Sequence, residues 1–262
     1  MVKFGMPSLF EAGSVEESAR LSQSLGLSFV ELNANFPFLG IHNLKPQQLL
    51  QAAEEYGVFF TIHLDDGLNI ADFNPLVAES YQQTVKQSLS LAAEAGVPAL
   101  NLHLPRGAVY TLPDRKVYFA QQYEGEYLDV VKNFRDRCDR WAQGCDVKLC
   151  VENSDGFLPV QYKAIELLLE SPAFGLTLDV GHDLCAGGGD GAFVRSHRDR
   201  LCHMHIHDAT LPKNDHLPLG EGAVDLPRDL ALAEETDATV VLEVKTEAGL
   251  RKSLEWLRLE HQ

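Results

Sequence analysis

The fold turns on residues 57–104. They open as Gly57-Val58-Phe59-Phe60-Thr61-Ile62-His63-Leu64 and close as Gly96-Val97-Pro98-Ala99-Leu100-Asn101-Leu102-His103-Leu104. Two short β-rich apolar runs (58–64 and 98–104) flank a helix-length stretch, 75–95, that starts on proline and stops at Gly96. A helix between two strands requires a long crossover, so the strands lie parallel. The same unit recurs in both directions. Apolar runs are expected at 2–6, 28–33, 147–152, 174–180, 201–207 and 239–244. Helices are expected at 14–25, 46–56, 118–143, 160–170, a short stretch toward Arg200, 227–235 and 247–259. Ser14 and Glu17 form a capping box before the first helix, and Gly26 ends it. Eight units in 262 residues, about 33 residues each, predict a (β/α)8 TIM barrel formed by a single domain, 1–262. A doubly wound open sheet is the competing fold, but the residues after the first run lack its glycine fingerprint.

Composition narrows the function. With 22 Lys+Arg against 38 Asp+Glu the formal charge is −16, which argues against a general nucleic-acid or anionic-membrane binder. No window of about 18 apolar residues suggests a membrane span, and the N-terminus shows no signal-peptide pattern. Five cysteines without a C-x-x-C pair suit reduced thiols, so the expected location is the cytoplasm.

Ionisable residues gather at the C-terminal ends of the apolar runs: Glu31, His63, His103, Glu152, Asp179, His205 and Glu243. In a barrel those ends converge on the face where active sites lie. Glu152, Asp179, His205 and Glu243 come from four consecutive strands and form a neighbouring quartet. Crowded carboxylates raise one another's pKa, and a divalent cation removes the conflict. One imidazole among oxygen donors suits one Mn2+, Zn2+, Co2+ or Mg2+ ion.

The strings Leu149-Cys150-Val151-Glu152-Asn153, Leu178-Asp179-Val180-Gly181-His182, His203-Met204-His205-Ile206-His207-Asp208, His216-Leu217-Pro218-Leu219-Gly220-Glu221-Gly222 and Leu242-Glu243-Val244 occur in that order. Together they resemble the xylose-isomerase-like barrel superfamily, which holds sugar isomerases and epimerases, hydroxypyruvate and inosose isomerases, inosose dehydratases and apurinic-site endonucleases. The resemblance implies that Glu152, Asp179, His205 and Glu243 hold one metal. It also implies that His182 binds substrate and that His63 and His103 line the pocket. His203 shares the parity of His205 but is expected deeper in the barrel, without a ligand role. The endonuclease branch has an aspartate two residues before the position of His216, and here that residue is Asn214.

The expected activity is therefore a metal-dependent sugar isomerase or epimerase acting through an enediolate. Glu152 and Glu243 would be the catalytic acid/base pair, with His182, His63 and His103 binding the substrate. Dehydration of an inosose or related keto-polyol uses the same proton abstraction. A nuclease-like metal hydrolase and a non-catalytic metal-binding barrel are the remaining alternatives. The expected partner is a small sugar or keto-polyol, neutral unless Arg106, Arg115 or Lys213 forms a phosphate clamp. Neither nucleic acid nor membrane is expected. Phe36 and Phe38 either cap the pocket or pack in a homo-oligomer.

Overall fold

A computed structural model describes residues 2–260. The eight parallel strands are β1 (Phe4–Pro7), β2 (Phe29–Asn33), β3 (Phe59–His63), β4 (Ala99–His103), β5 (Lys148–Glu152), β6 (Phe174–Asp179), β7 (Leu201–Ile206) and β8 (Thr239–Leu242). They close in chain order, with β8 pairing β1 through Phe4 and Val240, so the structure is a TIM barrel and the open-sheet alternative falls away.

Local chemistry places the elements close to the sequence reading. Ser14 accepts a hydrogen bond from the Glu17 amide at 3.1 Å at the head of the helix Val15–Leu25, and Gly26 ends it with φ 73°. Glu17 closes its half of the box on the Gly13 amide, one residue before the cap. Helices Pro46–Tyr56 and Pro75–Ala95 also run between their prolines and terminal glycines.

Four segments differ from expectation. The helix expected over 118–143 breaks at Tyr123 into Phe119–Gln122 and Glu124–Trp141, because Tyr123 leaves the helical region (φ −113°, ψ 53°). Polar loops after β4 and β7 fold into two-stranded hairpins, Val109–Thr111 with Lys116–Tyr118 and Asp208–Thr210 with Asn214–Leu217. A helix, Val180–Ala186, follows β6 directly. Its seven residues are too few to show a period.

Outward strand residues such as Leu32, Ile62, Leu100, Leu149, Leu178, Met204 and Val240 are buried in one continuous apolar core with the helices. The inward face is different. Phe29 fills the floor, stacked on Phe59 at 4.8 Å, and a Cβ on Gly5 would lie 2.6 Å from the Phe29 ring. Above this floor the interior is polar. Among the described residues no helix is long and apolar enough to cross a membrane.

Candidate active site and metal centre

Strand alternation brings every second side chain into the barrel. Cross-strand register then sets their heights, pairing His103 with Glu152, Asp179 with His205, and His205 with Val241. Glu243 follows β8 and reaches the same level. The quartet is assembled as the strand ends implied: one ligand atom from each of Glu152, Asp179, His205 and Glu243 lies within 4.8 Å of the others.

The buried His205 imidazole is at the centre. Its Nδ1 lies 3.0 Å from Glu152 Oε1, 3.1 Å from Glu243 Oε2 and 3.9 Å from Asp179 Oδ2. Burial pushes the Glu152 and Glu243 carboxyls up, but the facing His205 charge outweighs it and holds both well below the usual carboxylate range. The raised pKa values expected from crowding are thus corrected for Glu152 and Glu243, because His205 faces both. Burial likewise pushes His205 down, and Glu152, Glu31 and Glu243 pull it well above its ordinary value.

Those residues fit a divalent cation. Three buried carboxylates around one imidazole are a donor set for such an ion. Glu243 Oε2 is a buried oxygen without a hydrogen-bond partner beside the gap between the four ligand atoms. The field that raises His205 is the field a cation there would feel. On its far side, His205 Nε2 lies 2.8 Å from Glu31 Oε2. A carboxylate behind a ligating imidazole fixes its ring orientation. Glu31 in turn touches His203 Nε2 at 3.0 Å, and His203 Nδ1 meets Thr239 Oγ1 at 2.6 Å. His203 is therefore deep and fully occupied, as expected. The orienting position of Glu31 is new: sequence placed it at the rim with no role, because only the barrel's closure brings β2 opposite β7.

His63 and His103 sit on the other side of Glu152, their Nε2 atoms 3.2 and 3.3 Å from Oε2, which also accepts from Asn101 Nδ2. Burial lowers the His63 pKa, but the bond and charge of Glu152 bring it up to about 9. Neither ring is an isolated core histidine. His182 lies beyond the quartet. Asp179 Oδ1 caps its helix by accepting the His182 amide at 2.7 Å, and His182 Nδ1, 3.2 Å from Asp179 Oδ2, makes no hydrogen bond. His216 carries positive φ (56°) and brings Nε2 to 3.6 Å from Glu243 Oε1. That oxygen also receives Lys245 Nζ at 2.7 Å.

Two motif residues turn out to be structural. Asp208 accepts the backbone amides of Ala209, Gly220, Gly222 and Val224 at 2.8–3.0 Å, so it folds the Gly220–Gly222 loop. Asn214 is exposed and donates to Thr210 Oγ1 at 3.3 Å within the hairpin.

A cleft of about 370 Å3 opens above β4–β6, lined by His103, His182, Gln161, Arg106, Lys213, Asp66, Asp155 and Asp215 among others. Its cations are engaged. Arg106 donates to the carbonyls of Asp155 and Gly156, and Lys213 pairs with Asp155 at 2.8 Å. Arg115 pairs with its neighbour Asp114 at 2.8 Å. No phosphate clamp of these three is formed. Phe36 packs on Phe10 at a ring separation of 4.7 Å and on Phe38 at 5.7 Å, and neither Phe36 nor Phe38 lines this cleft.

The profile of the xylose isomerase-like TIM barrel family matches residues 19–260. The chain belongs to that family. Among curated relatives it is 25% identical to the uncharacterized Methanocaldococcus jannaschii protein MJ1311 over 234 residues, covering 84% of this chain and 76% of that one. Among solved structures it shares the fold of a D-tagatose 3-epimerase-like protein, with TM-score 0.78, 23% identity and coverage of 99% and 98% of the two chains. The 3-keto-D-glucoside 4-epimerase YcjR from E. coli gives TM-score 0.79, 18% identity and coverage of 99% and 100%. A probable 3-DHS dehydratase from Bacillus anthracis has the same fold.

Proposed function

We propose that the chain, acting as one barrel domain, is a divalent-metal-dependent isomerase or epimerase of a small neutral ketose or keto-polyol. One observation carries this reading: Glu152, Asp179 and His205 are buried, Glu243 is largely so, and their ligand atoms lie within 4.8 Å of one another, beside an open polar cleft. A divalent ion held by these four supplies Lewis-acid polarisation of a carbonyl and its neighbouring hydroxyl. Glu152 and Glu243 approach the His205 Nδ1 from two strands, as a pair that removes a proton from carbon and returns one. His182, His103 and His63 contact substrate hydroxyls, the first two from the cleft that they line. With Arg106 and Lys213 already engaged, the cleft offers its polar groups to a neutral polyol in preference to a sugar phosphate.

A dehydratase is the second reading. It is favoured by Lys245 Nζ and His216 Nε2 beside Glu243, donors placed to protonate a departing hydroxyl. A nuclease-like reading loses support because Asn214 is turned into its own hairpin.

The test is NMR of Mn2+- or Zn2+-loaded protein with a ketose and inosose panel in D2O, read after metal removal. Deuterium in a product of unchanged formula is expected. An olefinic or deoxy-keto product selects dehydration, and no product with any panel member while ligand binding survives in Glu152→Gln selects the non-catalytic barrel.

A further inference from the structure

His207 is the one histidine of the His203-Met204-His205-Ile206-His207 run without a role so far, and it is fully buried. It follows the last residue of β7, and four contacts converge on its ring. Nε2 lies 3.1 and 3.2 Å from the two oxygens of Asp179. Nδ1 accepts the backbone N–H of His216 at 2.8 Å, closer than the Asp208 carbonyl at 3.2 Å. The rings of His207 and His216 stack with centroids 4.3 Å apart and 10° between planes. Below, the helix Val180–Ala186 passes so close that a Cβ on Gly181 would stand 2.0 Å from His207 Cε1.

These contacts decide between two roles. His182, His207 and His216 present nitrogens close enough together to hold an ion. His207 cannot join such a set without giving up either Asp179 or the His216 amide, since each of its nitrogens is taken. What it does is connect. Asp179 comes from β6, His216 from the hairpin after β7, and the His216 side chain reaches Glu243 after β8. His216 has positive φ, a conformation a non-glycine residue keeps only when its surroundings hold it there. The amide bond and the ring stack to His207 provide that hold.

We propose that His207 is a positioning residue: one buried imidazole aims the Asp179 carboxylate into the ligand quartet and seats His216 over Glu243. Gly181 in the Asp179-Val180-Gly181-His182 motif is the space this ring requires. The Asp179 half of the proposal rests on the metal reading given above; the His216 half does not.

The two halves separate experimentally. In His207→Asn the amide oxygen stands near the Nδ1 position, so the His216 amide keeps its acceptor while Asp179 loses its partner. In His207→Gln the longer side chain keeps a donor for Asp179 and withdraws the acceptor from His216. Two readouts follow: Mn2+ affinity by competition with a chelator, and NMR-detected hydrogen exchange of the His216 amide in metal-free protein. His207→Asn should weaken Mn2+ binding about 10- to 100-fold, the range for loss of a group orienting a ligand, with His216 exchange near wild type. His207→Gln should speed His216 exchange about fivefold to tenfold, with Mn2+ affinity near wild type. Variants that leave both readouts unchanged, or move both together, overturn the proposal. A His216 amide in the wild-type protein that exchanges as fast as a free peptide overturns it without any variant, which covers the case in which the variants do not fold. If wild-type protein binds no Mn2+, the metal reading fails, and the His216 exchange still decides the role of His207.

Discussion

Strands β5–β8 and strands β2–β4 bury ionisable groups at the same height of one barrel and settle their charge differently. The β5–β8 side brings three carboxylates to a single imidazole nitrogen, leaving Glu243 Oε2 without a hydrogen bond. The β2–β4 side brings His63, His103 and Asn101 to one oxygen of Glu152 and backs His205 with Glu31. One side has acceptors in excess and asks for a cation; the other supplies donors. Glu152 belongs to both, with one oxygen on each. Under the proposed reading, the first side would hold the metal and the second would orient what the metal binds, through a shared carboxylate.

If that division holds, substitutions on the two sides fail differently. The largest effect is expected at the proton-transfer pair. Glu152→Gln and Glu243→Gln should each reduce turnover by about 10³-fold or more while the thermal transition stays within a few degrees of wild type. A variant retaining a tenth of wild-type turnover in the D2O exchange assay would remove that residue from the pair.

Next is Glu31→Gln, on the donor side but behind a ligand. Metal affinity should drop about 10- to 100-fold, measured by chelator competition, because His205 loses the group that fixes its ring. An unchanged affinity would mean that packing alone orients His205.

A smaller change is expected for His103→Gln, where the apparent KM should rise about tenfold, roughly 1.4 kcal/mol, with metal affinity unaltered. A change in metal affinity there would place His103 on the ligand side and break the comparison.

The smallest effect concerns pH in metal-free protein. The His63 pKa, 6.5 in the free side chain, rises to about 9 in the fold. A raised histidine pKa contributes stability that is fully present below about pH 6.5 and disappears as the pH climbs through about 9. The Tm of metal-free protein should therefore fall between those limits, by an amount on the order of 5 °C, and His63→Gln should flatten the curve. A Tm that rises over this interval would contradict the ion pair with Glu152.

The sequence alone carried the eight-unit alternation, the glycine and proline punctuation of helices such as Pro75–Ala95, and the rim positions of Glu152, Asp179, His205 and Glu243. Those features are local: a run of apolar residues and the polar residue at its end are adjacent in the chain, so period and position reveal them. Tertiary structure decided the rest. Whether Glu31 faces His205 depends on closure of β1 onto β8, an event with no local signature. Whether Glu152 and Glu243 end above or below the usual carboxylate range depends on the imidazole facing them, which a list of rim residues does not locate. The hairpin Asp208–Thr210 with Asn214–Leu217 is read as a polar loop because its strands are too short for a period. With that hairpin went the role of Asp208 and the seat of His216, since both depend on backbone amides that only the folded chain brings into reach.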